Sequence, residues 1–393
     1  MSRLARMLKS SQFLYSLYFY SMSFFIRLLG LVVGWNNKLI LFNCFGGKRY
    51  DDSPRAIYEE MVNDHRFDDY KLVWALQKTK DVVIPGRATV VKSDSLMYFI
   101  IALRAKMWVT NSSMERGLDF KKKRTICLNT WHGTPIKVMG IDVKDDSQSF
   151  KSKLLVRADI MLAQGQYDID VFSRCFQIPL SSFRLTGLPR NDHLANYTPE
   201  QSARIKEQLG IQENKTVILY APTFREYVRS ESNEVILDVP MDLSKWQQRL
   251  GDEYVVLFRA HYEVAKHMKI DGSSMFIDVS SYPSLEDLMI ISDALITDYS
   301  SIIFDYSVMH KPIYCFAYDY EEYMSQRGMY IDLKEALPCV VHINEDTLID
   351  ELLRFSDEKE DLCKRTISFQ EKYVSQYGQA SQNACNEIIM LIK

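Results

Sequence analysis

The chain has 393 residues, of which 47% are hydrophobic and 25% are charged, and its formal net charge is −3. This balance is typical of globular proteins and excludes a disordered chain, a collagen-like fibre and a polytopic membrane protein. The acidic balance disfavours a dedicated nucleic-acid-binding protein, and the length suggests about two or three domains of ~150 residues each.

Residues 1–37 are predicted to form a membrane-associating helical segment. The first 50 residues carry seven basic side chains and no Asp or Glu, and residues 10–26 are uncharged and rich in Phe and Tyr. Arg27 interrupts a stretch that otherwise approaches the ~20 apolar residues of a membrane span. Aromatic and basic residues together favour a helix lying in the headgroup layer of an anionic membrane. A true span and an ordinary buried helix remain alternatives, and no cleavage site indicates a removed signal peptide.

Short apolar runs alternate with helical patterns after residue 38. The runs are predicted to be strands buried on both faces, which is typical of parallel sheets. Their alternation with helices predicts a doubly wound α/β architecture. The predicted strands of the first series are Leu39–Phe42, Leu72–Trp74, Val82–Ile84, Met107–Val109, Thr125–Leu128, Ile160–Ala163 and Arg184–Thr186. Those of the second series are Thr216–Tyr220, Tyr254–Phe258, Met275–Asp278, Ala294–Ile296, Ile313–Phe316 and Val340–Ile343.

The two series divide near residues 190–200, where Pro199 occupies a permitted early position of a polar helix. We therefore expect two Rossmann-like domains, residues 38–195 and 196–393, that face a cleft. Ligands of such sheets bind beyond the carboxyl ends of the strands. A final helix over roughly residues 357–393 is a candidate to cross back over the first domain.

His132 is the first candidate catalytic residue. It lies in NTWHGTPIK (residues 129–137), directly after a predicted strand, with Gly133 and Thr134 following in the turn. Pro135 suits the first turn of a following helix. A histidine at the cleft edge is placed to act as a general base on a substrate hydroxyl, and its ordinary pKa of ~6.5 suits that role. The alternative is a histidine that only caps a helix or bonds to backbone.

Two further motifs predict an anion site in the second half. In FRAHY (residues 258–262), Arg259 and His261 follow an apolar strand and share a face if that strand continues. In ITDYSSIIFDY (residues 296–306), Ser300 or Ser301 can cap a helix whose N-terminus would hold a pyrophosphate. Asp298 would repel phosphate, so it more readily orients the loop or a sugar. The alternatives are a surface arginine, a hydrogen-bonded histidine and simple capping.

Three weaker motifs also follow predicted strands or turns. YAPTFR (residues 220–225) brings Thr223 and Arg225 to a strand end, TNSS (residues 110–113) does the same in the first half, and FGGKRY (residues 45–50) is a glycine turn with basic residues on the acceptor side. The basic run at residues 121–124 reads as a solvated turn or, alternatively, as a lipid-phosphate contact.

Several patterns are absent from the sequence. It has no P-loop, no GxGxxG after a strand and no HxxxH or HExxH, so we expect neither a nicotinamide cofactor nor a metal. The seven cysteines form no CxxC pair and predict neither a disulfide framework nor a zinc site. They indicate a reducing, cytoplasmic compartment.

Taken in order, WHGTP, YAPTFR, RAH and TDYSS, together with residues 45–58 and 185–192, resemble the CDP-glycerol glycerophosphotransferase family of teichoic-acid synthesis. The resemblance covers roughly residues 39–370. It implies a GT-B-like fold and a metal-independent, cofactor-free enzyme at the cytoplasmic face of the membrane. Such an enzyme transfers glycerol phosphate from CDP-glycerol to a hydroxyl of an undecaprenyl-linked acceptor and releases CMP.

The resemblance also assigns residues. The two essential histidines of the family map onto His132 and His261. Residues 38–195 become an acceptor domain and residues 196–393 a CDP-donor-binding domain, in which Arg259, Ser300 and Ser301 hold the pyrophosphate. The other expected substrate contacts are Thr223, Arg225, Thr297, Asp298, Gly133 and Thr134.

The sequence leaves several alternatives open. The donor can be CDP-ribitol rather than CDP-glycerol, and a capsule-polymer phosphotransferase or a nucleotide-sugar glycosyltransferase can use the same fold. A membrane-surface scaffold without enzymatic activity is the alternative outside enzymology. The number of units added and the oligomeric state are open as well.

Overall fold

The computed structural model describes residues 12–80, 82–143, 156–223, 241–259 and 275–393. These residues form two compact units. The first comprises Met1–His132, Met139–Asp192 and Gln376–Lys393, and the second comprises Gly133–Val138 and His193–Ser375. Each unit is built around one parallel sheet.

The first unit contains a seven-stranded sheet in the order β3-β2-β1-β4-β5-β6-β7, with every pairing parallel. Its strands are β1 (Asn36–Asn43), β2 (Lys71–Leu76), β3 (Thr89–Lys92), β4 (Ala105–Thr110), β5 (Ile126–Asn129), β6 (Ile160–Ala163) and β7 (Phe183–Leu185). Its longer helices are α1 (Gln12–Val32), α2 (Asp52–Asn63), α3 (Leu96–Arg104) and α4 (Gln166–Cys175).

The second unit contains a six-stranded parallel sheet in the order β10-β9-β8-β11-β12-β13. Its strands are β8 (Thr216–Tyr220), β9 (Tyr254–Phe258), β10 (Phe276–Asp278), β11 (Ala294–Thr297), β12 (Ile313–Phe316) and β13 (Val341–His342). The helices from α5 onward are α5 (Asp192–Asn196), α6 (Pro199–Gln208), α7 (Leu243–Leu250), α8 (Leu285–Ile291), α9 (Ile302–Ser307), α10 (Tyr320–Arg327), α11 (Leu333–Ala336), α12 (Glu345–Leu353), α13 (Phe355–Tyr373) and α14 (Ala380–Ile392).

The prediction of two doubly wound α/β units is confirmed. The apolar runs form strands because both faces of each sheet are covered, so every side chain of β2 after Lys71 is buried. One apolar cluster on the first sheet includes Phe42 and Trp74, and another includes Leu41 and Trp108. Helix α6 begins as expected, with Thr198 and Gln201 forming a capping box.

Two of the predicted elements are wrong. Val82–Ile84 forms no strand, and Val83 is 89% exposed; the edge strand is β3 instead, whose mixed polar pattern escapes a search for apolar runs. The predicted final helix is two helices, α13 and α14. Gly378, with φ 82°, lies between them, and α14 packs against α2 in the first unit.

Helix α1 lies against the first unit through part of its surface only. Ile26 is buried against the cluster around Trp108, whereas Phe13, Phe24, Phe25, Leu31 and Val32 are all more than 60% exposed. Residues Phe13–Val32 are long and apolar enough to cross a membrane by length and composition, with a mean hydropathy of 1.3 and 17% of that window buried. This helix is compatible with peripheral membrane association.

The basic run at residues 121–124 helps to hold α1 in place. Lys122 donates from Nζ to the carbonyl oxygen of Val33 at 3.3 Å, and its stem approaches Gly30. The Arg124 guanidinium lies 5.0 Å from the ring centroid of Trp35. Lys121 pairs with Asp159 at 2.9 Å. Lys121, Lys122 and Arg124 therefore make structural contacts, while Lys123 and Arg124 form an exposed turn, as the sequence predicts.

Candidate active site

His132 follows the carboxyl end of β5, where its ring is held in one orientation. Nδ1 lies 2.8 Å from the backbone oxygen of Asn111, which follows β4. A carbonyl oxygen only accepts hydrogen bonds, so Nδ1 carries the proton and the lone pair of the neutral ring lies on Nε2. The ring stacks on Trp131 with centroids 4.2 Å apart, and the ring of Phe45 lies 5.7 Å away.

The surroundings of His132 favour its neutral form. Its side chain remains accessible to solvent. Desolvation by the surrounding protein nevertheless lowers its pKa, and this effect outweighs the opposing hydrogen bond to Asn111 and the charge of Asp52. A neutral imidazole with Nε2 unprotonated is the form that removes a proton from a hydroxyl.

The loops around His132 come from the point where the strand order of the first sheet reverses. Strands β1 and β4 are neighbours there, and each ends in a polar loop. The N–H of Phe45 donates to Oδ1 of Asn111 at 2.8 Å, and the N–H of Gly46 donates to Oγ of Ser112 at 3.1 Å. The glycine turn and the TNSS motif therefore form one hydrogen-bonded structure beside the histidine.

Backbone strain is concentrated at the same edge. Phe45, Asp52 and Trp131 adopt φ values of 47°, 60° and 49°, which L-residues rarely occupy. Each such residue costs about 1–2 kcal/mol and persists only where surrounding contacts enforce it. Such strain is typical of functional sites.

A nearly buried ion pair lies close to His132. Arg190 Nη1 is 2.9 Å from Oδ2 of Asp52, and the two side chains are only 9% and 7% exposed. Their charges act on the His132 pKa in opposite directions, Asp52 raising it and Arg190 lowering it. The pair fixes the start of α2 against the loop after β7.

In the second unit, Asp298 organises the loops at the reversal point between β8 and β11. Its Oδ1 accepts from the N–H groups of Thr223 at 2.8 Å and Tyr299 at 2.6 Å. The hydroxyl of Thr297 donates to the carbonyl oxygen of Ala221 at 2.7 Å. Asp298 therefore orients the loop, one of the two roles the sequence offered for it.

Arg259 follows β9, and its Nη1 lies against three backbone oxygens of the loop after β10. The distances to Val279, Ser280 and Tyr282 are 2.7, 2.8 and 2.6 Å. This nitrogen holds the loop in place.

Ser300 and Ser301 precede α9, as predicted, but cap it only weakly. Ser300 Oγ accepts from the N–H of Ile302 at 3.4 Å, and the Ser301 side chain makes no capping hydrogen bond. Among the described residues there is no group of three His, Cys, Asp or Glu side chains that could hold a metal ion.

The model of the CDP-glycerol:poly(glycerophosphate) glycerophosphotransferase family matches residues 24–390. The chain belongs to this family. It is 35% identical to the teichoic acid glycerol-phosphate transferase of Staphylococcus aureus, over 90% of this chain and 93% of that protein. It is 33% identical to the teichoic acid poly(glycerol phosphate) polymerase of Staphylococcus epidermidis over 88% of this chain, which spans only 49% of that longer protein.

A solved structure of a family member, the wall teichoic acid polymerase TagF, superposes with a TM-score of 0.86 at 30% identity. The match covers 100% of this chain and 99% of that one. The GT-B-like fold and the family resemblance drawn from the motifs are both confirmed.

Among the residues expected from the family motifs, His132 lies in the first unit with residues 45–50 and 110–113. Thr223, Arg259, Thr297, Asp298, Ser300 and Ser301 lie in the second unit, at or just beyond the ends of β8, β9 and β11. His261 and Arg225 lie outside the described residues.

Gly133 and Thr134 are both buried, and the helix expected to start at Pro135 does not form. The segment instead bonds to the second unit as extended chain. Lys137 forms a bridge with Met329, and the Ile136 oxygen accepts from the N–H of Tyr330 at 2.8 Å. Tertiary pairing overrides the helix-start signal of the proline.

Family motifs alone did not reveal Trp131, Phe45 or the Asp52–Arg190 pair. The sequence shows Trp131 next to His132, but it does not show the positive φ of Trp131 that lets its ring stack on the imidazole. Asp52 and Arg190 are 138 positions apart, and no local pattern joins them.

Proposed function

We propose that this chain transfers glycerol phosphate from CDP-glycerol to a hydroxyl of a lipid-linked acceptor in teichoic-acid synthesis and releases CMP. The observation that carries the proposal is the match to glycerophosphotransferases over nearly the whole chain, with His132 held as a neutral base at a strand end. The relatives described above act on glycerol phosphate, which favours CDP-glycerol over CDP-ribitol.

His132 starts the reaction. Nε2 accepts the proton of the acceptor hydroxyl, and the oxygen attacks the phosphorus that carries glycerol. A new phosphodiester bond forms as the anhydride bond to CMP breaks, and CMP leaves with the bonding electrons. In phosphoryl transfer, positioning and charge stabilisation supply most of the rate enhancement.

The second unit supplies the donor site in this proposal. Thr223, Thr297 and Asp298 shape the loops at its reversal point, where ligands of such sheets bind. Arg259, Ser300 and Ser301 hold the pyrophosphate, and His261 with Arg225 completes the donor site. Helix α1 keeps the enzyme at the cytoplasmic face of an anionic membrane, within reach of an undecaprenyl-linked acceptor.

Product analysis tests the proposal. The purified protein is incubated in parallel with CDP-glycerol, CDP-ribitol and UDP-sugars, together with a short-chain lipid disaccharide acceptor that carries glycerol phosphate. CMP release with CDP-glycerol and a product heavier by one or more glycerol phosphate units is expected. UDP release would indicate a glycosyltransferase, and no nucleotide release from any donor would indicate a scaffold.

A further inference from the structure

The glycine turn after β1 is shaped to admit an arginine. Gly46 has a φ of +64°, and a Cβ added there would lie 2.1 Å from Nη1 of Arg116. The guanidinium therefore occupies the space that a side chain at position 46 would fill. Only glycine at this position allows Arg116 to reach the turn.

Two of the three guanidinium nitrogens of Arg116 form hydrogen bonds with a carboxylate, and the third, Nη1, approaches the turn. Nε and Nη2 donate to the two carboxylate oxygens of Asp94 at 2.7 and 2.9 Å. Within the described part of the chain, Nη1 has no hydrogen-bond partner. Both residues adopt positive φ, 54° for Arg116 and 62° for Asp94, so the backbone is strained to present this pair.

A second polar group is unsatisfied on the other side of the turn. A Cβ added at Gly47 would lie 2.1 Å from Oγ of Ser93. Ser93 is 4% exposed, and its hydroxyl has no partner within the described residues. The exposed side chains of Lys48 and Arg49 follow the turn. The opposing carboxylate of Asp52 is paired with Arg190.

The turn connects Arg116 directly to the proposed base. Gly46, against which the guanidinium lies, is adjacent to Phe45, whose ring is 5.7 Å from that of His132. Asn111 joins the turn to the histidine by two hydrogen bonds. Its Oδ1 accepts from the N–H of Phe45, and its backbone oxygen accepts from Nδ1 of His132. The cation and the proposed base thus border two adjacent residues of the turn, Gly46 and Phe45.

The Arg116 loop also contacts the membrane-associating helix. The hydroxyl of Tyr15 donates to the backbone oxygen of Gly117 at 3.5 Å, and Ser23 accepts from the N–H of Asp119 at 2.9 Å. Arg116 is therefore adjacent to the point where this loop meets α1.

We propose that Arg116, held against the Gly46–Gly47 turn, binds a phosphate of the acceptor next to the hydroxyl that His132 deprotonates. The inference rests on the proposed function and narrows its acceptor to one that already ends in glycerol phosphate. A glycerol phosphate terminus carries its hydroxyl and its phosphate on one three-carbon unit, so a base and a guanidinium that border adjacent residues of one turn can serve its two ends. Arginine suits phosphate because its planar fork donates directionally.

The test compares two soluble acceptors that differ only at the terminus. One is a short-chain lipid analogue ending in glycerol phosphate, and the other is the same analogue ending in glycerol joined through an ether. Replacing Arg116→Gln should raise the acceptor KM roughly 10- to 100-fold for the first acceptor, the value of a charge-assisted hydrogen bond. The KM for the second acceptor and for CDP-glycerol should not change.

Three matched variants separate phosphate binding from a structural clamp. Asp94→Asn removes the ion pair but keeps the guanidinium, and it should leave the acceptor KM within a few-fold of wild type. Gly46→Ala displaces the guanidinium and should behave like Arg116→Gln. Arg87→Gln, which removes another arginine paired with an aspartate in the same unit, should have no effect.

Equal losses for both acceptors, or equal effects of Asp94→Asn and Arg116→Gln, would overturn the subsite and leave the proposed function intact. Absence of CMP release by the wild-type protein from CDP-glycerol would overturn both. Replacing Arg116→Lys should recover part of the acceptor affinity that Arg116→Gln loses, without a change in the donor KM. This result would support phosphate binding by residue 116.

Discussion

At the scale of single residues, the chemistry of His132 is decided by its neighbours. The Asn111 carbonyl selects the tautomer, Trp131 fixes the plane of the ring, and the surrounding protein lowers the pKa. The lowered pKa favours the neutral ring, which is the form that the proposed base requires. The hydrogen bond that selects the tautomer comes from a backbone oxygen, which a side-chain substitution does not remove.

Replacing His132→Gln should reduce kcat about 10²- to 10⁴-fold, the usual contribution of a general base. The KM for CDP-glycerol should stay unchanged, because we assign the donor to the second unit. Steady-state CMP release measures both parameters. His65→Gln, at a surface histidine that pairs with Asp68, is the control. Retention of most of the activity by His132→Gln would refute its assignment as the base.

The pH dependence of the reaction follows from the same pKa shift. Protonation removes the lone pair from Nε2, so kcat/KM should fall as the pH drops through the lowered pKa of His132. The acid limb should therefore lie below the ordinary histidine value of ~6.5. Replacing Trp131→Ala exposes the ring and should move this limb upward. A pH–rate profile of both proteins tests the expectation, and a wild-type limb above 6.5 would contradict it.

Replacing Asp52→Asn should destabilise the first unit. The change removes the carboxylate charge from the nearly buried ion pair with Arg190, and breaking a buried ion pair typically costs about 3–5 kcal/mol. Asparagine tolerates the positive φ of this position, so the charge is the main difference. Urea unfolding measures the loss, with Glu358→Gln in an exposed pair as the control. A change below 1 kcal/mol would show that the pair is not structurally important.

At the scale of elements, α1 has two faces with different roles. Ile26 packs into the first unit, whereas Phe24 and Phe25 point away from it and are 61% and 68% exposed. The basic run at residues 121–124 contributes contacts to the helix and its C-terminal extension. The same helix is thus both part of the fold and a candidate membrane contact.

Substitutions on these faces should separate stability from membrane binding. Phe24→Ser with Phe25→Ser should weaken binding to anionic phosphatidylglycerol vesicles and leave the free energy of unfolding nearly unchanged. Ile26→Ala should instead cost about 2–5 kcal/mol of stability, as is usual for buried aliphatic residues. Vesicle co-sedimentation and urea unfolding distinguish the two. Undiminished vesicle binding by the double variant would rule out this face as the membrane contact.

At the scale of the whole molecule, two parallel sheets each place polar loops where their strand order reverses. The first unit holds His132, the proposed base, and the second holds loops ordered by the buried Asp298, so we assign acceptor activation and donor binding to different units. No cluster of potential metal ligands occurs within the described ranges. We propose that cationic side chains and N–H groups stabilise the charge on the transferred phosphoryl group.

Chelation tests whether the reaction proceeds without a divalent cation. CMP release from CDP-glycerol should be unchanged, within a factor of about two, after dialysis against EDTA and after addition of Mg²⁺. The control is a metal-dependent nucleotidyltransferase assayed in the same buffers. Loss of activity in EDTA that Mg²⁺ restores would show that a divalent cation carries part of the phosphate charge.

The sequence alone determined the class of fold, nearly all the strands and the family. Strands buried on both faces leave continuous apolar runs, and the motifs at their ends are local, so both can be read from neighbouring residues. Only the tertiary structure decided the edge strand β3, the extended path of residues 133–138, the break before α14 and the surroundings of His132. Each of these depends on partners far apart in the chain, such as Met329 for Lys137 and Arg190 for Asp52. Local periodicity carries no information about such contacts.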